Sequence, residues 1–221
     1  MSRRLSLPDT ASVAIPGADG RMHAPSALRN AEAICAVIRE RGPAAGRALE
    51  IASGTGEHAV RIAACQPGLD WQPSDIDADR RASIDAWTAH AGLPNIRPAI
   101  ALDACAPGWG AVQDGYDLIF ASNILHLVSV DEAQTLIREA ARALAPAGVL
   151  MIYGPFRRGD RFASEGDATF HTSLVAQDSA IGYKSAEEVE GWMRAAGLVA
   201  EPPAEMPANN LTVVARKPAA P

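Results

Sequence analysis

The chain has 221 residues, 48% of them hydrophobic and 21% charged, which excludes wholesale disorder and supplies a core without covalent staples. Lys plus Arg number 20 against 26 Asp plus Glu, a formal charge of −6, and no dense basic stripe appears, so no nucleic-acid partner is expected. Three widely spaced cysteines (35, 65 and 105) argue against a disulfide framework or a thiolate zinc site and for a reducing, cytoplasmic setting, and no apolar run reaches the roughly 18 residues of a membrane span.

Residues 1–25 are rich in Pro, Gly and small side chains and read as a loose arm, with an organellar transit peptide as the alternative. Residues 26–217 read as one domain and 218–221 as a tail. Over residues 27–41, Leu28, Ala31, Ile34, Val37 and Ile38 fall at helical spacing, with Ser26 as N-cap and Gly42-Pro43 as the stop. Short apolar runs near 48–52, 69–75, 96–102, 116–121 and 149–154 read as strands. Helices are expected at 57–65, 80–91 and 131–144. Residues 155–183 form a polar region without a clear pattern. A helix follows, opened by Ser185 with Glu188 as a capping box, and strands near 198–204 and 211–216 close the chain. This alternation predicts a three-layer α/β fold with parallel crossovers. The last strand must run antiparallel, since no helix fits before it.

The sharpest local signal is EIASGTGEHA, residues 50–59, between a strand and a helix. Gly54 supplies a tight turn, and Gly56 lets a ligand approach the backbone, with Thr55 between them. The helix start beyond offers unpaired N–H groups, and His58 faces either the mouth of such a site or solvent. Asp75, ending the second strand, can accept hydrogen bonds from ribose hydroxyls, and Asp103, near the end of the third, can meet an adenine edge. Taken alone, Gly-Thr-Gly is equally a plain structural turn. With Ala59 it also satisfies a dinucleotide pattern, while a P-loop is disfavoured because no Lys-Ser/Thr follows. Glu50 and the two later acids suit an adenosine joined to a charged amino acid.

These residues resemble those of class I, S-adenosylmethionine-dependent methyltransferases. The ordered set ALEIASGTGEHA, LDWQPSD, SNILH, LAPAGVLMIYGPF and MPANN resembles the DUF938 family, also described as methyltransferase-like 26, over about residues 25–217. The resemblance implies a Rossmann-like, seven-stranded, mostly parallel sheet of order 3-2-1-4-5-7-6 with strand 7 antiparallel. It implies S-adenosyl-L-methionine as cofactor and S-adenosyl-L-homocysteine as product. Residue by residue, it places Glu50, Gly54 and Gly56 at the amino-acid end of the cofactor. Asp75 falls at the ribose, Asp103 and Ala104 at the adenine, and Asn123 at the methionine end. The acceptor does not carry over.

Methyl transfer from a sulfonium is an in-line displacement, so the protein must mainly align and desolvate the reactants, with a base where a hydroxyl or amine loses a proton. His126 is the first candidate base, with loop ordering as its alternative role. Tyr153 is a second candidate, or else a support for the strand end. His171 is a third, or a solvated loop histidine. Asp178, Asn209 and Asn210 stand on the acceptor side, where the asparagines better suit fastening the terminal hairpin. Trp109 has the best claim to a ligand wall. Arg157, Arg158 and Arg161 suit either an anionic substrate or a solvated loop. His126, His171 and Asp178 lack an HExxH spacing, so no metal is expected. The expected function is methylation of a small molecule. An NAD-dependent oxidoreductase and a noncatalytic cofactor- or partner-binding protein are the alternatives, and monomer and homodimer both stay open.

Overall fold

The computed structural model describes residues 14–220. Its main sheet is built from β3 (Gly46–Ile51), β4 (Leu69–Asp75), β5 (Ile100–Ala101), β6 (Tyr116–Ser122), β7 (Leu144–Gly154), β8 (Val199–Glu205) and β9 (Leu211–Arg216). Across the sheet they run β5-β4-β3-β6-β7-β9-β8. Counted from β3 this is 3-2-1-4-5-7-6, and β9 lies antiparallel to both neighbours while the pairs from β5 to β7 are parallel. The expected Rossmann-like architecture is therefore the observed one.

Central strands covered on both faces read as continuous apolar runs. In β6, Leu118 and Phe120 pack to one side with Ile34 and Ile38 of α1 (Pro25–Arg41) and Ile62 of α2 (Glu57–Cys65). Ile119 and Ala121 pack to the other side with Leu136 and Ile137 of α4 (Val130–Ala143) and Val189 and Met193 of α6 (Ala186–Ala195). The first layer is completed by α3 (Ala78–Ala91), whose N-cap Asp77 accepts from the Asp79 and Arg80 amides. Ser129 and Glu132 close a capping box on α4, as Ser185 and Glu188 do on α6.

Several elements depart from the sequence expectation. The arm at 1–25 lies partly outside the described residues. From residue 14 onward it forms a short antiparallel pair, β1 (Ile15–Pro16) with β2 (Met22–His23), rather than a loose segment. The Met22 amide donates to Ser83 Oγ (2.8 Å) and Trp87 Nε1 donates to the Met22 carbonyl (2.8 Å), which fastens the pair to α3. Helix α1 begins at Pro25 behind Ala24, so Ser26 falls inside its first turn and is not the cap. The third strand shrinks from 96–102 to two residues and one isolated bridge, Trp71 to Ile96. Pro98 between them has no N–H for a ladder. Strand β7 starts at Leu144 and runs through Pro146-Ala147-Gly148, with Ala147 at φ 64° and a register shift against β6. The polar region contains α5 (Glu165–Gln177), which escapes a periodicity reading because Leu174 is its only buried residue.

Cys35 of α1 and Cys65 at the end of α2 form a disulfide, their Cα atoms 6.5 Å apart. This corrects the sequence expectation. The 30-residue separation is bridged because α1 and α2 pack side by side, and the bond removes the cysteine argument for a reducing compartment. Among the described residues, no helix is long and apolar enough to cross a membrane.

Candidate functional site

The glycine turn sits at the carboxyl end of β3, between β4 and β6. The chain leaves β3 through Ala52 at φ 53°, then Gly54 at φ 61° and Gly56 at φ 90°. Left-handed backbone at a non-glycine such as Ala52 is uncommon and concentrates at functional turns. The two glycines exchange the parts the sequence suggested. A Cβ on Gly56 would stand 2.6 Å from the Ile84 Cα, so this glycine is needed for α3 to pack against the start of α2. A Cβ on Gly54 would meet nothing nearer than the Arg80 guanidinium at 3.9 Å, so Gly54 is the one that leaves room over the backbone.

Hydrogen bonds gather the first two acids around this turn. The Gly54 amide donates to Asp75 Oδ2 (3.0 Å), and the Asp77 amide donates to Asp75 Oδ1 (3.0 Å). A carboxylate has about four acceptor positions. Two therefore remain for a ligand. Burial pushes the Asp75 pKa up, against the pull of the two amides and of Arg80. Glu50 lies beneath, 1% exposed, with Oε2 accepting from Trp71 Nε1 (3.1 Å). Burial raises its pKa to about 7, the Trp71 and Ser53 hydrogen bonds oppose that shift, and the Asp75 charge adds to it. Ser74 Oγ donates to the Glu50 carbonyl (2.7 Å), and Ser53 Oγ accepts from the Ser74 amide (3.2 Å). The sequence reading missed both serines, although polar residues ending two buried strands were the available signal. It also missed Ile76, an apolar side chain 50% exposed immediately after Asp75.

Asp103 and Ala104 follow β5, which the Leu102 amide ties to the Asp75 carbonyl (3.3 Å). Asp103 Oδ1 accepts from the Cys105 amide (3.0 Å). Thr55 is buried, and its carbonyl accepts from Ser83 Oγ (2.7 Å). Asn123, at φ 55°, follows β6 with its amide on the Tyr153 carbonyl (2.8 Å). Strands β3 to β6 thus bring Glu50, Gly54, Asp75, Asp103 and Asn123 to one end of the sheet, the position where open α/β sheets hold ligands.

Other candidates fall elsewhere. His58 is buried between α1 and α2, 2.7 Å from Asn30 Oδ1, and burial lowers its pKa to about 4, so it faces neither the mouth nor solvent. Trp109 is 7% exposed, with its indole N–H on the Ala104 carbonyl (3.0 Å), and belongs to the core rather than to a ligand wall. His126 is 5% exposed between Phe170 and Tyr183. Burial and the Lys184 charge lower its pKa to about 3, which makes it a poor proton acceptor near pH 7. Tyr153 is 1% exposed, its oxygen accepting from Asn30 Nδ2 (3.2 Å) and Asn210 Nδ2 (2.8 Å). It ties α1 and the β8–β9 turn to β7, while Asn209 at φ 62° is exposed in that turn. His171 Nδ1 accepts the Tyr183 amide (3.1 Å), so its other ring nitrogen carries the proton and the ring is a donor, not a base. Asp178 Oδ1 accepts from the Ala180 amide (2.8 Å), which closes the 178–180 turn.

Residues 21–217 match the family described as protein of unknown function, DUF938. The chain belongs to this family. Its fold is shared with solved methyltransferase structures. An O-methyltransferase family protein from Burkholderia thailandensis aligns with a TM-score of 0.73 at 18% identity, covering 86% of this chain and 57% of that one. An O-methyltransferase family 2 protein from Planctomyces limnophilus, solved in complex with apigenin, gives 0.72 at 19%, covering 87% and 58%. Human N-acetylserotonin methyltransferase in complex with SAM gives 0.66 at 15%, covering 87% and 56%. This DUF938 chain spans a little over half the length of these structures.

Proposed function

We propose that this DUF938 protein is an S-adenosylmethionine-dependent methyltransferase acting on a small-molecule acceptor. The observation that carries the reading is the pairing of the Gly54 amide with the Asp75 carboxylate, above buried Glu50 and beside half-exposed Ile76. The residues fit the cofactor. Gly54 leaves its backbone open, Asp75 keeps two acceptor positions for ribose hydroxyls, and Ile76 offers an apolar face to the base. Glu50 supplies negative charge for the amino-acid end, with Asn123 beside it. When bound, the cofactor supplies a methyl group activated by the sulfonium charge.

The protein's part is alignment and exclusion of water. The Asn30–Tyr153–Asn210 bonds hold the terminal hairpin and α1 together at the acceptor end. With His126 and Tyr153 buried and His171 fixed as a donor, none of the three is assigned as a base. The structural neighbours, among them a complex with a small aromatic compound, support a small acceptor.

Calorimetric titration with S-adenosylhomocysteine and, separately, with NAD tests the reading. Binding of the first is expected, weakened at least about tenfold in Asp75→Ala by loss of charge-assisted hydrogen bonds. NAD binding without S-adenosylhomocysteine binding would favour an oxidoreductase, and unchanged affinity in a folded variant would refute the role of Asp75. Turnover in an acceptor screen separates an enzyme from a noncatalytic binder.

A further inference from the structure

A cleft of about 210 Å³ opens between α5, the loop at 178–184 and the start of α6. It lies at the same end of the sheet as the glycine turn. Arg157 follows β7 by three residues, and the Gly182 amide donates to the His126 carbonyl (3.0 Å), which ties the loop to the segment after β6. Its volume falls below the roughly 300–1,000 Å³ of sites for drug-sized ligands. A small molecule, or one group of a larger one, matches it.

The polar lining combines Arg157, His171 and Lys184 with Ser179 and Glu188, whose carboxylate is already taken up by Arg157 and by the Ser185 amide (2.8 Å). Arg157 is held by backbone bonds to Lys184 and Ala186 (both 3.0 Å). Its Nη2 donates to Glu188 Oε2 (3.2 Å), but its Nε–H is buried and has no partner. A buried donor left unpaired is costly, and a ligand oxygen would relieve it. The His171 ring contributes an N–H, for the reason given above. Gly182 makes room for that ring, since a Cβ there would stand 2.8 Å from His171 Cε1. Lys184, bonded to the carbonyls of Val128 and Gly182 (3.0 Å to Gly182), contributes charge. Arg157 and Lys184 both act to lower the His171 pKa, behind the larger effect of burial, consistent with positive potential here. Val130, Val175 and Ile181 supply the apolar part of the lining. Val130 is 44% and Val175 36% exposed, two of six large hydrophobic side chains left open to solvent among the described residues.

We propose that this cleft binds the carboxylate of a small amphiphilic molecule, with the Arg157 Nε–H donating to the carboxylate and Val130 and Val175 covering the apolar body. An inorganic oxyanion satisfies the donors but leaves both valines exposed. The sequence left Arg157, Arg158 and Arg161 as one cluster. The structure keeps Arg158 and Arg161 joined by backbone bonds (3.0 and 3.2 Å) and pairs the Arg158 side chain with Glu205 (2.7 Å), and of the three only Arg157 lines the cleft.

Nitrogen–proton NMR of the full chain, following the Arg157 Nε–H and the Gly182 amide, tests this with benzoate in one arm and inorganic phosphate at matched ionic strength in the other. Saturable shifts with benzoate, at lower concentration than with phosphate, are expected. Arg157→Gln should weaken benzoate at least about tenfold. Val175→Glu, at an exposed position, should weaken it by charge repulsion without disturbing the fold. No saturable shift in either arm, or wild-type affinity in a folded Arg157→Gln, overturns the site. Tighter phosphate than benzoate overturns the amphiphilic class. No step uses S-adenosylhomocysteine, so failure here and failure of the methyltransferase reading are separate results.

Discussion

Under the proposed function, Glu50 couples cofactor binding to pH. Its carboxyl is fully enclosed, and its pKa of about 7 leaves it largely protonated below neutrality. A ligand carrying an ammonium at this end of the site favours the carboxylate, so binding must expel the proton. With a pKa of about 7, roughly one tenth of Glu50 is ionised at pH 6 and roughly nine tenths at pH 8. S-adenosylhomocysteine should therefore bind about tenfold tighter at pH 8 than at pH 6, releasing close to 0.9 proton at pH 6 and about 0.1 at pH 8. Calorimetry in buffers of different ionisation enthalpy reads that release directly. Burial shifts Asp75 in the same direction, and Glu50→Gln separates the two by keeping the shape of the side chain while removing its titration. In the apoprotein the sign reverses. The native pKa lies above the reference value of 4.5, so the contribution of protonated Glu50 is complete below pH 4.5 and is lost as pH rises to about 7, on the order of 3 kcal/mol. A flat affinity profile in the wild type, or an unchanged profile in Glu50→Gln, would refute the reasoning.

Gly56→Ala should destabilise the protein by about 2 kcal/mol or more, because the new Cβ meets the Ile84 backbone and φ 90° is strained for alanine; thermal unfolding measures it. Cys35→Ser with Cys65→Ser should cost about 3–4 kcal/mol from the 30-residue loop that the bond closes, read by denaturant titration, and equal stability with and without reductant would deny the bond. Carbon or nitrogen shifts of the His126 ring should stay those of neutral imidazole from pH 8 down to about pH 5, and a titration centred near 6.5 would place the ring in solvent.

The turn at 50–56, the Asp75 terminus and the Ser185 capping box were legible because each rests on local chemistry. A glycine relieves left-handed backbone, a serine caps a helix, and an acid closing a strand lies near the next turn. Strand order was suggested by family resemblance, while periodicity alone gave only layers. What the sequence withheld depends on packing between distant segments. Gly54 and Gly56 look interchangeable until Ile84 of α3 arrives against one of them. His126 looks like a base until Phe170 and Tyr183 enclose it and remove the water that would stabilise its charge. Cys35 and Cys65 become partners only when α1 lies along α2. Local preference decides which turns and helix ends form. Burial, which sets protonation states and reachable atoms, is a property of the assembled layers.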